Sequence, residues 1–268
     1  MSDTERPYGL LTELSGIEET RNPARQKGLP LGTPFQWLGA GWRDLWIQPG
    51  PSLAYGLAVC VVSIVFVWLL FTFGRDYILF PALAGFMIVG PVVAVGLYEK
   101  SRMIEAGETP TLARMLSVRP RTGTHILFTG VLLCLLMLLW MRAAVLLYAL
   151  FFGVRPFPGL DHVVQVTLTT PTGIALLVVG TAVGGLFAAF GFAISVLSVP
   201  MLLDRQLDAL TAMATSMAIV WNNIPVMVVW GAIVLFLFAI GAVTGFLGLI
   251  VIFPLLGHAT WHAYKAMR

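Results

Sequence analysis

The stretch ILFTGVLLCLLMLLWMRAAVLLYALFF, residues 126–152, contains one charged side chain, Arg142. A transmembrane α-helix needs about 20 mainly apolar residues to cross the hydrocarbon of a bilayer. This stretch is longer than that, and its one charge lies toward its carboxyl end. It therefore predicts a helix that crosses a membrane.

Three other runs, 52–73, 78–98 and 172–199, meet the same requirement, and a fourth extends from 224 to 257. The fourth run is too long for one span without a steep tilt. Gly241 and Gly245 lie in its middle, where a tight turn would be needed, so we predict two spans, 224–240 and 245–264. A single long helix is the alternative, and it would move the carboxyl terminus to the other side of the membrane.

The composition of the whole chain agrees with a membrane protein. Charged residues make up 11% and hydrophobic residues 58%, whereas a soluble domain has about 25% charged and just under half apolar residues. Residues 1–34 are polar and contain no apolar segment, so they predict neither a signal peptide nor a span. We expect a disordered cytoplasmic tail at 1–34 and a single transmembrane helical domain at 35–268.

The basic residues predict the orientation of the spans. Loops that carry an excess of Lys and Arg stay on the cytoplasmic side. Thirteen of the sixteen basic residues lie before the first span, between even- and odd-numbered spans, or after the last. Only Arg75 and Arg155 lie in the opposite loops. This asymmetry predicts six spans with both termini in the cytoplasm.

The chain also shows a threefold pattern of an amphipathic lead-in, an outgoing span and a returning span that contains a proline. The three lead-ins are FQWLGAGWRDLWIQPG (35–50), TPTLARMLSVRPRTG (109–123) and LDALTAMATSMAIVWNNIP (207–225). An apolar stripe with flanking tryptophans is typical of a helix in the membrane plane. In the first lead-in that stripe is Phe35, Leu38, Trp42 and Leu45, flanked by Trp37 and Trp46. We therefore predict three helical hairpins, each preceded by an in-plane segment.

Arg142 is the most conspicuous candidate for function, because an ionisable side chain inside a span is costly. Its position near the end of the span allows its guanidinium to reach the interface, or to pair with Asp76 or Asp161. The alternative is that Arg142 binds an anion or a partner subunit.

A second group of candidates lies where the returning spans end at the predicted cytoplasmic side. Its members are Glu99, Asp204, Asp208, His258 and His262. The two histidines are one helical turn apart, which could bring both imidazoles to one metal ion or proton path. Helix ends that leave a membrane are ordinarily polar, and no spacing fixes a third and fourth ligand. We therefore predict no metal and no cofactor.

Glycines at a spacing of four allow helices to approach each other closely. Two pairs have this spacing, Gly180 with Gly184 and Gly241 with Gly245. We predict that they serve helix packing. A glycine-lined solute path is the alternative.

Three stretches, GWRDLWIQPGPSLAYG (41–56), GPVVAVGLYEKSR (90–102) and IFPLLGHATWHAYK (252–265), resemble an uncharacterised bacterial family of integral membrane proteins. The resemblance covers roughly residues 35–268. Some members of that family are labelled as cytochrome c oxidase subunits, so the resemblance implies a bacterial inner-membrane location. A catalytic oxidase role does not fit, because four histidines are too few to ligate two haems and a copper ion.

The leading functional hypothesis is a non-enzymatic accessory, assembly or scaffold protein of a larger inner-membrane complex. Its expected partners are the lipid bilayer and other membrane-protein subunits, and no feature indicates nucleic-acid binding. The alternative is a transporter or channel for a small solute or ion, with Arg142, Glu99 and Asp204 as functional residues. A third possibility, a metal- or haem-binding enzyme, depends on His258 and His262.

Overall fold

The computed structural model describes residues 28–118, 123–153 and 160–268. All regular elements in these ranges are helical, which confirms the all-α prediction. The helices are α1 (Thr33–Trp46), α2 (Pro49–Thr72), α3 (Leu79–Val93), α4 (Val95–Glu105), α5 (Leu112–Leu116), α6 (Gly123–Phe152), α7 (Leu160–Thr169), α8 (Pro171–Ser195), α9 (Ser198–Asp204), α10 (Ala209–Asn222), α11 (Ile224–Val243) and α12 (Leu249–Met267). A short 3₁₀ helix, Asp76–Ile78, precedes α3. Most of the predicted 1–34 tail lies outside the described residues.

Five helical segments within the described ranges are long and apolar enough to cross a membrane. They are Pro49–Thr72, Asp76–Glu105, Thr124–Phe152, Pro171–Asp204 and Ile224–Val243. The run from 224 to 257 contains two helices, with a turn in which Gly245 has a positive φ of 63°. Helix α12, which corresponds to the predicted sixth span, is not among these five segments. Its second half is buried against other helices.

Helix α12 lies at the centre of one end of the bundle, where it packs against α1, α2 and α4. Glycines make each of these contacts close. A Cβ atom on Gly41 of α1 would lie 2.5 Å from the backbone nitrogen of Ala259, and one on Gly257 of α12 would lie 2.7 Å from Leu97 of α4. Because a glycine has no side chain to hold its neighbour away, the helices approach closely at these points, and polar side chains beside the glycines come within hydrogen-bonding range of each other.

The contact between α2 and α12 also depends on a proline. Pro254 lies inside α12 and has no N–H, so the carbonyl of Ile250 loses its usual intrahelical partner. A Cβ on Gly56 of α2 would lie 2.2 Å from that carbonyl oxygen. The glycine therefore lets α2 approach the carbonyl that the proline leaves free.

The three predicted hairpins are consecutive along the chain, but their packing is not limited to pairs within a hairpin. Helix α2 packs mainly on α12, whereas α3 packs on α6 and α8. The first and last spans thus lie together. All three lead-ins contain a helix, α1, α5 and α10.

Helix α1 differs in detail from the predicted apolar stripe. Trp37 and Leu45 are buried, whereas Phe35, Trp42 and Trp46 are exposed. The buried side also contains Gly41 and Asp44, because this side contacts α12. The structure therefore divides the predicted stripe into a face that packs on protein and an exposed apolar face.

Candidate functional site

Six polar side chains form a continuous hydrogen-bonded group at the end of the bundle that carries α1. They come from α1, the first turn of α2, the end of α4 and the second half of α12. We call this group the polar cluster, and its members are Asp44, Ser52, Lys100, Ser101, His258 and His262. Ser52, Lys100, Ser101 and His258 have no exposed surface, and Asp44 is 6% exposed. The cluster is therefore a desolvated site made by residues far apart in the sequence.

Lys100 forms one end of the cluster. Its Nζ donates hydrogen bonds to Ser52 Oγ at 2.7 Å and to the carbonyl oxygen of Gln48 at 3.0 Å. A longer contact of 3.5 Å reaches the carbonyl oxygen of Leu45. No carboxylate among the described residues lies within 4 Å of Nζ. The ammonium group is thus held by neutral oxygens at the junction of α1 and α2.

His258 links the two halves of the cluster. Its Nε2 lies 2.9 Å from Ser52 Oγ, and its Nδ1 lies 2.9 Å from Ser101 Oγ. The imidazole is fully buried. Both ring nitrogens are therefore engaged with protein hydroxyl groups.

Asp44 ends the buried part of the cluster. Its Oδ2 accepts a hydrogen bond from Ser101 Oγ at 2.6 Å and one from His262 Nε2 at 2.9 Å. Burial raises the pKa of the Asp44 carboxyl group, but the hydrogen bonds from His262 and Ser101 and the nearby imidazoles outweigh it and hold the pKa below 3.8. Asp44 is consequently a carboxylate, and partly exposed His262 covers it.

The hydrogen-bond directions in the cluster follow from these endpoints. Lys100 donates to Ser52, which leaves the Ser52 hydroxyl hydrogen for His258 Nε2. The imidazole hydrogen then lies on Nδ1 and is donated to Ser101, whose hydroxyl donates to Asp44. With these directions, one hydrogen atom lies between the two heavy atoms of each hydrogen-bonded pair in the cluster. The cluster is a one-way chain of donors from an ammonium group to a carboxylate.

The other candidate residues at the predicted cytoplasmic end pair elsewhere. Glu99 is 2% exposed and accepts two hydrogen bonds from Arg102, at 2.8 and 2.9 Å. Asp204 accepts hydrogen bonds from Tyr264 Oη at 2.8 Å and from Arg268 at 2.7 Å. These carboxylates belong to separate ion pairs and not to the polar cluster.

Asp208 is the N-cap residue of α10. Its side chain accepts a hydrogen bond from the backbone nitrogen of Thr211 at 2.9 Å. A hydrogen bond with the Thr211 side chain, followed by the one from the Thr211 backbone, lowers the pKa of the exposed Asp208 carboxyl group. Its role in the structure is to begin a helix.

Arg142 lies on the exposed side of α6. No carboxylate among the described side chains lies within 4 Å of it, and this includes Asp76. The side chain of the other predicted partner, Asp161, lies outside the described part. The structure therefore does not bring Arg142 to the polar cluster.

The glycines predicted to pack helices have different surroundings. A Cβ on Gly184 would lie 2.9 Å from the Trp140 ring, and one on Gly241 would lie 2.7 Å from Leu249. A Cβ on Gly180 or on Gly245 would meet no atom within 4 Å. Gly180 borders open space, and Gly245 lies in the turn before α12.

The open space beside Gly180 is a cavity of about 750 Å³ between α3, α6, α8, α11 and α12. Its lining includes Trp140, Phe192, Trp230 and Phe253. No described residue that lines it carries a charge. This cavity is thus apolar, and no member of the polar cluster lines it.

Comparison with known proteins finds a similarity to a family. Residues 79–204 match the model of a family described as predicted integral membrane protein (DUF2189). The match covers just under half of the chain. No curated protein and no solved structure matches the chain. Together with the five apolar helices, the match shows an integral membrane protein.

The DUF2189 match extends from α3 to α9 and includes Lys100 and Ser101. Asp44, Ser52 and His258 lie outside the matched range. The three stretches that carry the resemblance in the sequence nevertheless contain all six members of the polar cluster. The structure brings these stretches together at one end of the bundle.

Sequence reasoning missed four members of the polar cluster, Asp44, Ser52, Lys100 and Ser101. Each is a common polar residue near a helix end, so none attracts attention alone. The available signal was the position of these residues within the three quoted stretches, beside Gly41 and Gly257. Among the described residues, no group of three or more His, Cys, Asp or Glu side chains is arranged to hold a metal ion.

Proposed function

We propose that this DUF2189 protein is a non-enzymatic accessory, assembly or scaffold protein of a larger complex in the bacterial inner membrane. In this proposal both termini are cytoplasmic, as the distribution of basic residues predicts. Its partners are other membrane-protein subunits. The sequence resemblance to a family with some members labelled as cytochrome c oxidase subunits suggests the respiratory chain as the complex.

One observation carries this proposal: the charged groups that the fold buries are held by hydrogen bonds to protein atoms, and none of these groups lines the cavity. A path for an ion or a hydrophilic solute needs polar groups that line a water-filled space. Lys100 and His258 instead have no exposed surface, and the cavity lining is apolar. Such an arrangement supports a stable helical platform more than a hydrophilic pathway.

The polar cluster suits a platform because it connects elements that would otherwise move separately. Helix α1 precedes the first span and is joined to the bundle through Asp44, which contacts Ser101 of α4 and His262 of α12. Hydrogen bonds to ionised groups are about twice as strong as neutral ones. The exposed face of α1, with Phe35 and Trp42, is thereby held in a constant orientation.

Co-purification at the native expression level tests the proposal. The tag belongs at the amino terminus, because Arg268 at the carboxyl terminus pairs with Asp204. After extraction in a mild detergent we expect a defined set of membrane proteins in constant ratio to this chain, and reciprocal capture when one of them carries the tag. Recovery of the chain alone from chemically cross-linked membranes would contradict an accessory role.

A transporter is the second candidate, and the one-way order of hydrogen bonds in the polar cluster favours it. A chain of hydroxyl and imidazole groups between an ammonium and a carboxylate is a type of arrangement that moves protons. In vesicles that contain the purified protein, a proton flux that a Ser101→Ala variant lacks would support this candidate. The same flux in protein-free vesicles would remove it.

A further inference from the structure

Two buried polar atoms beside the apolar cavity have no hydrogen-bond partner among the described residues. They are Ser195 Oγ, at the carboxyl end of α8, and Trp230 Nε1, in the second turn of α11. Both residues line the cavity, and they are 1% and 0% exposed. A buried donor without a partner is costly, so a ligand that supplies an acceptor would remove that cost.

Ser195 differs from Ser63 and Thr72, two other hydroxyl-bearing residues in the spans. Ser63 donates to the carbonyl of Val59 at 2.8 Å, and Thr72 donates to the carbonyl of Trp68 at 2.9 Å. Such bonds within one turn are the ordinary solution for a hydroxyl group in a helix. Ser195 does not form this bond, so its hydroxyl group remains available at the cavity.

The lining of the cavity defines the chemistry of a ligand. The indole N–H can only donate, and the serine hydroxyl can donate as well, so the ligand must carry accepting oxygen atoms. Because no charged side chain lines the cavity, the part of the ligand inside it is uncharged. The rest of the surface is aromatic and aliphatic, which suits hydrocarbon chains.

The cavity also has a route for such a ligand. Phe80, Leu168 and Leu235 line it and are more than half exposed, whereas Ile88 and Trp230 on its deep side are buried. In a chain that spans a membrane, exposed apolar residues of this kind face lipid. The cavity therefore opens sideways toward the bilayer, with its two free donors on the deep side.

We propose that the cavity binds an uncharged, carbonyl-bearing part of a membrane lipid, with Ser195 and Trp230 as hydrogen-bond donors to its carbonyl oxygens. The ester carbonyls of a glycerophospholipid and the ring carbonyls of an isoprenoid quinone share this chemistry. In the first case the charged head group stays outside the cavity. This site does not depend on the accessory role proposed above, because any membrane protein could hold such a lipid.

Fluorescence titration of the delipidated full chain in detergent tests this site with two separate probes. One is phosphatidylcholine with a brominated acyl chain, and the other is a decyl-substituted benzoquinone. Both quench tryptophan fluorescence, and Trp140 and Trp230 line the cavity. We expect saturable quenching by at least one probe. Saturation by the brominated lipid alone assigns a glycerolipid, and saturation by the benzoquinone alone assigns a quinone.

Two variants separate specific binding from general contact with lipid. Gly180→Leu adds bulk where a Cβ would meet no atom, so it fills the cavity, and we expect saturable quenching to disappear. Ser195→Ala with Trp230→Phe keeps an aromatic ring at position 230 and removes both donors, and we expect about tenfold weaker binding. Ala182→Leu, on an exposed position of α8 outside the cavity lining, is the matched control and should bind as the native chain does.

Two outcomes would contradict the proposed lipid site. Absence of saturable quenching by either probe, or native affinity in the folded Gly180→Leu variant, would show that the cavity is not a lipid site. If Gly180→Leu does not fold, the double variant Ser195→Ala with Trp230→Phe tests the site. Unchanged affinity in that variant would show that Ser195 and Trp230 do not bind the ligand.

Discussion

His258 Nδ1 lies 2.9 Å from Ser101 Oγ, although 157 positions separate the two residues in the chain. The same hydroxyl group donates to Asp44 Oδ2 at 2.6 Å. One serine thus joins three helices, α1, α4 and α12. The fold of this end of the bundle depends on such contacts as well as on apolar packing.

Ser101→Ala should destabilise the protein by about 1–3 kcal/mol, because it removes the buried hydroxyl group that bonds to both His258 and Asp44. Thermal or denaturant unfolding in detergent measures the change. Ser63→Ala is the control, since that hydroxyl group bonds only within its own helix turn, and we expect a change within about 0.5 kcal/mol. Equal effects of the two variants would contradict a cluster that joins helices.

Lys100→Met should cost about 2–4 kcal/mol, because it leaves the carbonyl of Gln48 and the hydroxyl of Ser52 without a buried donor. Gln48 has a left-handed backbone with φ of 52°, so loss of this restraint should also raise hydrogen exchange at the junction of α1 and α2. Lys265→Met, which breaks a half-exposed pair with Glu105 at 3.0 Å, should cost at most about 1 kcal/mol. Unchanged exchange at residues 45–50 in Lys100→Met would refute this role.

The polar cluster should make the stability of the protein depend on acid pH through Asp44. The folded-state pKa of Asp44 is lowered, so its contribution to stability is present above the ordinary value of 3.8 and is lost as pH falls through the folded value. We expect Asp44→Asn to be less stable at neutral pH. We also expect it to lose less stability as the pH falls from about 5 to about 3, the range in which carboxyl groups ordinarily titrate. Unfolding midpoints of both proteins across that range measure the difference, and parallel curves would count against the assignment.

Gly41→Ala should destabilise the protein by about 1–3 kcal/mol, because the new Cβ would lie 2.5 Å from the backbone of Ala259. Gly39→Ala is the matched control on the same helix. A Cβ there meets nothing within 4 Å, so its higher helix propensity should leave stability unchanged or raise it by up to about 1 kcal/mol. If both variants behave alike, α1 does not pack on α12 in the way described.

The spans were predictable from the sequence because hydropathy is a local property, and residues 126–152 already require a membrane helix. The polar cluster was not predictable from the sequence, because it depends on which helices become neighbours in the fold. Lys100 counted in the sequence only as one of the basic residues at a span end. His258 was recognised, but its partners Ser52 and Ser101 are ordinary hydroxyl residues whose proximity results from the close contacts at Gly41, Gly56 and Gly257.

Chemical labelling of lysine in the folded protein tests most directly whether the buried charges are closed to water. Lys100 has no exposed surface, whereas the side chain of Lys265 is 23% exposed. With an amine-reactive acetylating reagent and peptide mass spectrometry, the account predicts modification of Lys265 and none of Lys100 until the protein is unfolded. Modification of both lysines at similar rates in the folded protein would contradict it and would favour a hydrophilic path through the polar cluster.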